Sequence, residues 1–251
     1  MSSFWVDPSE VNGDRVVLLE DEAHHLCKVR RYSSSDLINV TDGEGEFFRV
    51  RLEKVTPKRV EGIIVERFFE KAESKVNLFL AQSLIRGSRF DGLVEKATEI
   101  GISGVYPHYS DRGISWNSSN VKTKRWQRLA KAAIKQSGRS RLPEIYDPVD
   151  YSTVLKIIVE ISDVVFVGVL GEQPLSVAGL VETKQSTINI GLLVGPEGGF
   201  TSDEISEAVE VGVVPFSWGD RVLRADTAGV VLSALLISLF ENELYRKEGK
   251  K

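Results

Sequence analysis

At 251 residues the chain holds one large domain or two smaller ones, and its 42% hydrophobic and 27% charged residues are ordinary for a soluble protein. The single cysteine, Cys27, excludes an internal disulfide and fits a reducing cytoplasm; with no metal-spaced partner it is a poor ligand. A secretory signal is not expected from the start Met1-Ser2-Ser3-Phe4-Trp5, and the apolar stretch Val230 to Phe240 is short and broken by Ser233 and Ser238, so it reads as a core helix and not a membrane span.

The net charge of −4 conceals an asymmetry. Residues 86 to 141 carry 12 Lys/Arg against 4 Asp/Glu, whereas residues 142 to 251 carry 8 against 17. A basic middle in an acidic chain marks a candidate polyanion surface.

In chain order, the first 70 or so residues read as short strands: Phe4 to Val6, Arg15 to Leu19, Leu37 to Thr41, Phe47 to Val55 and Arg59 to Phe68. Asp42-Gly43-Glu44-Gly45 and Thr56-Pro57-Lys58 are the turns, and Asp21 to Arg31 is a short helical piece bearing His24, His25, Lys28, Arg30 and Arg31. The two histidines have no third ligand nearby, so no metal is expected. The pattern predicts a small β-barrel, a shape often used on RNA. Glu70 to Lys75 is a polar linker.

From Val76 strands and helices alternate. Val76 to Gln82 is a strand; Phe90, Leu93, Val94, Ala97 and Ile100 lie at helical spacing and stop at Gly101; Gly104 to Pro107 is the next strand. Trp126, Leu129, Ala130, Ala133 and Ile134 form the apolar stripe of a helix whose other face bears Lys124, Arg128, Lys131 and Lys135. Strands Val164 to Val169, Ile188 to Val194 and Val213 to Ser217 follow, with helices between and after. Such alternation implies an α/β fold with a parallel sheet covered on both faces.

Two strand-to-helix loops stand out. Gly195-Pro196-Glu197-Gly198-Gly199-Phe200 is nearly all backbone, and Thr201 with Glu204 is a capping box that starts a helix at Ser202. Trp218-Gly219-Asp220-Arg221-Val222-Leu223-Arg224 leads into a helix from about Thr227 to Tyr245. Consecutive loops of this kind place one ligand site at the strand C-termini. The first loop lacks the Gly-Lys-Ser/Thr ending of a phosphate-binding P-loop and the glycine spacing of a dinucleotide fingerprint.

These two loops, together with His25-Leu26-Cys27-Lys28-Val29-Arg30, Glu95-Lys96-Ala97-Thr98-Glu99-Ile100-Gly101, and Gln136-Ser137-Gly138-Arg139 with Arg141-Leu142-Pro143, resemble the SPOUT class of RNA methyltransferases. Within it the chain is most similar to the uridine-N3 methyltransferases of small-subunit ribosomal RNA, the RsmE family. The resemblance covers nearly the whole chain. Ser140 stands where the family usually has Asn, Asp226 and Asp91 where it has Glu, and Ser3 where it has Arg.

The resemblance implies a PUA-like β-barrel over residues 1–72 and a trefoil-knotted α/β methyltransferase domain over 73–251. It also implies S-adenosylmethionine as methyl donor, a cytoplasmic homodimer, and 16S ribosomal RNA or the small subunit as partner. The donor would be held by Leu170, Gly171, Val194, Gly195, Glu197, Gly198, Gly199, Trp218, Gly219, Val222, Leu223, Thr227 and Ala228. Arg224 and Arg221 could stabilise charge on the uracil edge, with Asp226 as orienting partner or base; alternatively the three form an ion-pair network that only holds the loop. Arg86, Arg89, Arg112, Arg139 and Arg141 with the Lys124, Arg128, Lys131 and Lys135 face would contact phosphates, extended by Arg30 and Arg31. Two other readings stay open: methylation of another RNA atom, such as guanine N1 or a ribose 2′-hydroxyl, and a non-catalytic RNA-binding protein.

Overall fold

A computed structural model describes residues 3–115, 122–172 and 187–248. The chain divides into two compact units, residues 1–73 with 131–142 and residues 74–130 with 143–251.

In the first unit, strands β1 (Phe4–Trp5), β2 (Val11–Asn12), β3 (Arg15–Leu19), β4 (Leu37–Thr41), β5 (Glu46–Val55) and β6 (Arg59–Phe69) form one sheet in the order β1-β4-β5-β6-β3-β2. Phe4, from one edge of this order, and Val16, from near the other, share a core with Leu26, Val40, Phe48, Leu52 and Val60. A flat six-stranded sheet could not bring its edges to one cluster, so the sheet is curled. Register shifts in β5, at Arg49/Val50 and Leu52/Lys54, supply part of that curvature. Helix α1 (Glu20–His24) runs directly into a wider turn over His25–Val29. The two-residue strand β2 has too short an alternation to be read from sequence.

Residues 131–142 complete this unit. Ser3 donates from both its backbone nitrogen (2.7 Å) and its hydroxyl (3.1 Å) to the Lys135 carbonyl, and Leu142 N–H donates to the Gly43 carbonyl at 2.8 Å. Glu73 is the hub. Its carboxylate accepts from Arg139 Nε (3.1 Å) and Nη2 (2.7 Å) and from the backbone N–H groups of Ser140 and Arg141 (both 2.8 Å).

The second unit is built on a parallel sheet of β7 (Val76–Ser83), β8 (Gly104–Tyr109), β9 (Glu144–Ile145), β10 (Val149–Asp150), β11 (Val164–Gly168), β12 (Ile188–Val194) and β13 (Val214–Phe216). The order is β10-β8-β7-β12-β11-β13, with β9 also paired to β8. Its helices are α2 (Arg89–Ile100), the first half of α3 (Thr123–Ser137), α4 (Tyr151–Ile161), α5 (Ser202–Glu210) and α6 (Ala225–Glu248). Strand β12 is buried at every position except Asn189, as a central strand covered on both faces must be. Helix α2 ends where expected, with Gly101 at φ +108°. Helix α4 buries Tyr151, Val154, Leu155 and Ile158 at helical spacing and starts at the N-cap Asp150, which accepts from Thr153 N–H. The helix expected between Val169 and Ile188 falls on residues 173–186, outside those described.

Helix α6 is long and apolar enough, by length and composition, to cross a membrane. Its buried line Leu232, Leu236, Ile237, Phe240 and Leu244 packs toward α2 and β7, with Phe240 edge-on to Phe166 of β11. Val231, Ala234, Leu235 and Leu239 form a second apolar face that is only half-buried.

Candidate active site

The C-terminal ends of β11, β12 and β13 open onto a cavity of about 400 Å3 within the second unit. The strand-to-helix connections after β12 and β13 meet there with the residues that follow β11, at the strand C-termini where open parallel sheets bind ligands. Of the residues expected to hold a methyl donor, Leu170, Val194, Gly195, Glu197, Gly198, Gly199, Trp218, Gly219, Val222, Leu223 and Ala228 line it. Gly171 and Thr227 lie beside lining residues without lining it themselves. Gly168, Val169, Pro196, Phe200, Phe216 and Ser217 also line the wall; each lies within two positions of an expected residue.

The glycine loop is held from several sides. The Gly199 N–H donates to the Pro196 carbonyl at 2.9 Å, and Gly199 sits at φ +67°. Beyond it the capping box is complete: Thr201 N–H donates to Glu204 Oε2 (2.7 Å) and Glu204 N–H to Thr201 Oγ1 (3.1 Å). A Cβ on Gly198 would stand 3.2 Å from the Cβ of Arg112. Space at Gly198 is therefore set by an arginine packed behind the loop as well as by any ligand in front of it.

Arg112 Nη1 donates to the carbonyls of Gly198 and Phe200, both at 3.3 Å, and Arg112 lines the cavity. Arg89 Nη1 lies 3.0 Å from Glu197 Oε1. Two arginines expected on an RNA surface thus reach the loop from the connections after β8 and β7. No local sequence pattern could reveal this: Arg112 and Gly198 are 86 residues apart.

Beneath the loop His108 is fully buried, with its ring stacked on that of Phe200 (centroids 5.9 Å apart, planes at 9°) and edge-on to Tyr151. Among the described residues neither ring nitrogen has a hydrogen-bonding partner. Burial pushes its pKa down to about 4, and the nearby backbone of Tyr109, Val194 and Ala81 offsets this only in part. Tyr151 donates its hydroxyl to the Glu204 carbonyl at 2.6 Å, and burial raises its pKa.

Arg221 lines the cavity; Arg224 and Asp226 do not, although Arg224 is exposed in the same loop and Asp226 is in the first turn of α6. Among the described residues none of the three forms an ion pair. Asp226 Oδ1 is buried with no hydrogen-bonding partner among them.

The other expected RNA contacts divide by exposure. Arg30 and Arg31 in the first unit and Arg86 and Arg128 in the second are exposed. Arg141 is exposed but paired with Glu70 at 2.8 Å. The Arg139 side chain is only 4% exposed and is bound by Glu73. Lys131 packs its ammonium 3.9 Å over the Trp5 ring, and Lys135 is ion-paired with Glu22. Ser140 and Ser3 are both buried, with hydroxyls on the carbonyls of Lys71 and Lys135. Asp91 accepts from Arg125 Nε and Trp126 Nε1.

Comparison with known proteins agrees with this geometry. A family model described as an RNA methyltransferase domain matches residues 72–237, and one described as an RNA methyltransferase PUA domain matches 18–65. Ribosomal RNA small subunit methyltransferase E of Synechocystis sp. is 30% identical over 94% of this chain and 77% of its own length; the Bacillus subtilis protein of that name is 25% identical over 90% of each. The crystal structure of ribosomal RNA small subunit methyltransferase E from Neisseria gonorrhoeae bound to S-adenosyl methionine superposes with a TM-score of 0.82 at 27% identity, covering 95% of this chain and 98% of that one. A probable rRNA-methyltransferase from Porphyromonas gingivalis gives 0.79 at 26% identity, over 95% and 98%. The chain belongs to the RNA methyltransferase family, among the relatives of ribosomal RNA small subunit methyltransferase E.

Proposed function

We propose that the protein transfers a methyl group from S-adenosylmethionine to N3 of a uridine in 16S ribosomal RNA, acting as a cytoplasmic homodimer on the small ribosomal subunit. One observation carries the reading: in a chain of this family, the glycine loop, Leu170 and the Trp218-to-Leu223 segment line a single cavity of about 400 Å3. That volume lies in the range that takes a drug-sized ligand. The walls fit the donor: Leu170, Leu223 and Trp218 offer apolar surface to an adenine ring, and the glycines offer backbone groups.

The bound donor supplies an electrophilic methyl group. The protein positions uracil and neutralises charge. As N3 forms its bond to the methyl carbon, the carbon–sulfur bond breaks and the N3 proton leaves. Arg221, at the cavity, and Arg224, three residues on, carry the positive charge for the O2–N3–O4 edge. The unpartnered Oδ1 of Asp226 is the acceptor for that proton or the orienting contact for an arginine. Exposed Arg30, Arg31, Arg86 and Arg128 serve as phosphate contacts.

The dimer is supported by apolar residues exposed around the cavity mouth (Val222 at 81%, Leu170 at 59%) and by the half-buried second face of α6. Mapping modified nucleotides in ribosomal RNA from a deletion strain tests the reading. Loss of one N3-methyluridine from 16S RNA, restored by the gene, is the expected result; an unchanged modification map refutes it.

A further inference from the structure

We infer that Arg112 is a positioning residue of the methyl-donor pocket and not an RNA-phosphate contact. The inference rests on the proposed donor site.

Three observations on Arg112 converge. Its guanidinium reaches the carbonyls of Gly198 and Phe200, at 3.3 Å each. Its Cβ and Cδ fill the space behind Gly198, at 3.2 and 3.6 Å from where a Cβ would stand. It also contributes to the cavity wall directly. A trans peptide points its C=O and N–H in opposite directions, so drawing the Gly198 and Phe200 carbonyls toward Arg112 fixes the orientation of both peptide planes. The adjoining N–H groups are then occupied by the loop itself, Gly199 N–H on Pro196 and Thr201 N–H on Glu204. With the outer edge of the loop spent in this way, its inner edge keeps one shape toward the cavity. A loop rich in glycine has no side chains with which to hold that shape and pays the most entropy to order; Arg112 supplies the restraint from a different strand connection. A charge-assisted bond to a neutral carbonyl also leaves most of the arginine's positive charge beside the pocket.

This role separates from phosphate binding in what each would change. Arg112 is exposed, so replacing it opens no core cavity. Arg112→Ala and Arg112→Lys are compared with wild type by calorimetry with S-adenosylmethionine, by binding to purified small ribosomal subunits over a salt series, and by initial rates in which donor and subunit are varied separately. Two lost charge-assisted bonds predict donor affinity about tenfold weaker in Arg112→Ala. The apparent KM for the donor should rise in step, with kcat at saturating donor, subunit affinity and salt slope unchanged. Arg112→Lys, which keeps the charge but not the fork that spans two carbonyls, should fall between the two. Wild-type donor affinity in Arg112→Ala overturns the inference. So does a loss confined to subunit binding with the salt slope reduced by about one, the signature of a phosphate contact. Failure of the wild-type protein itself to bind S-adenosylmethionine refutes the donor site, and the inference with it.

Discussion

His108 makes the stability of this protein depend on acid in a way that one substitution should remove. Its pKa is lowered by burial from 6.5 to about 4, so the folded protein refuses a proton that the unfolded chain accepts. The sign follows from linkage: the His108 contribution to stability is flat above about pH 6.5 and falls as pH drops through the window between 6.5 and 4. Between pH 7.5 and pH 5.0 that difference amounts to about 2 kcal/mol from this one side chain. His108→Leu keeps a comparable volume against Phe200 and Tyr151 and removes both buried nitrogens. At pH 7.5 the variant should be at least as stable as wild type, by up to about 2 kcal/mol, because buried polar atoms without partners cost about 1–3 kcal/mol. Urea unfolding of both proteins at pH 7.5 and 5.0 provides the measurement. Other titrating groups contribute equally to the two, so the difference between their pH slopes isolates His108. Equal loss of stability in wild type and variant would show that His108 accepts its proton in the folded state, and the reasoning from burial would be refuted.

Other outcomes follow from the same geometry. Glu73→Ala should destabilise the protein by about 3–5 kcal/mol, read from its denaturation midpoint, because it strips the buried Arg139 guanidinium of its carboxylate partner; a change below 1 kcal/mol would contradict this. Gly198→Val should keep the fold but weaken S-adenosylmethionine binding by more than about tenfold, since its side chain would displace Arg112 from the loop; unchanged calorimetric affinity would count against the brace. Arg224→Ala should retain most of its donor affinity, as the residue does not line the cavity, and lose methylation in single-turnover assays on small subunits; a wild-type rate would move the chemistry to another residue. Sedimentation at micromolar concentration should show twice the 27.9 kDa chain mass, and monomer alone would refute the dimer.

Elements with a strong local signature were legible from the sequence. The capping box put the start of α5 at Ser202, Gly101 ended α2, and the apolar run from Ile188 gave β12 with its bounds. The cavity was legible too, because glycine-rich strand-to-helix loops mark strand C-termini whatever the topology. Interactions between distant segments were not. Lys131 and Lys135 read as surface cations from their helical spacing and Arg139 as an expected phosphate contact, and only their partners Trp5, Glu22 and Glu73, far away in sequence, show that these charges are engaged. A basic helical stripe states where charges are and not what they face. The same limit hid Arg112, whose partners are two backbone carbonyls and therefore have no sequence signal at all.

The discontinuous first unit has a consequence for biosynthesis. Its six strands are all complete by Phe69, yet the segment that closes it ends at Leu142, and Glu73 meets Arg139 from 66 positions away in sequence. At translation rates of roughly 5–20 residues per second, the curled sheet waits about 4–15 s on the ribosome before its last segment has been made. Through that interval the Glu73 carboxylate has not yet met the arginine that neutralises it. The N-terminal unit cannot finish folding first and independently; its completion is timed by synthesis of the segment that ends at Leu142.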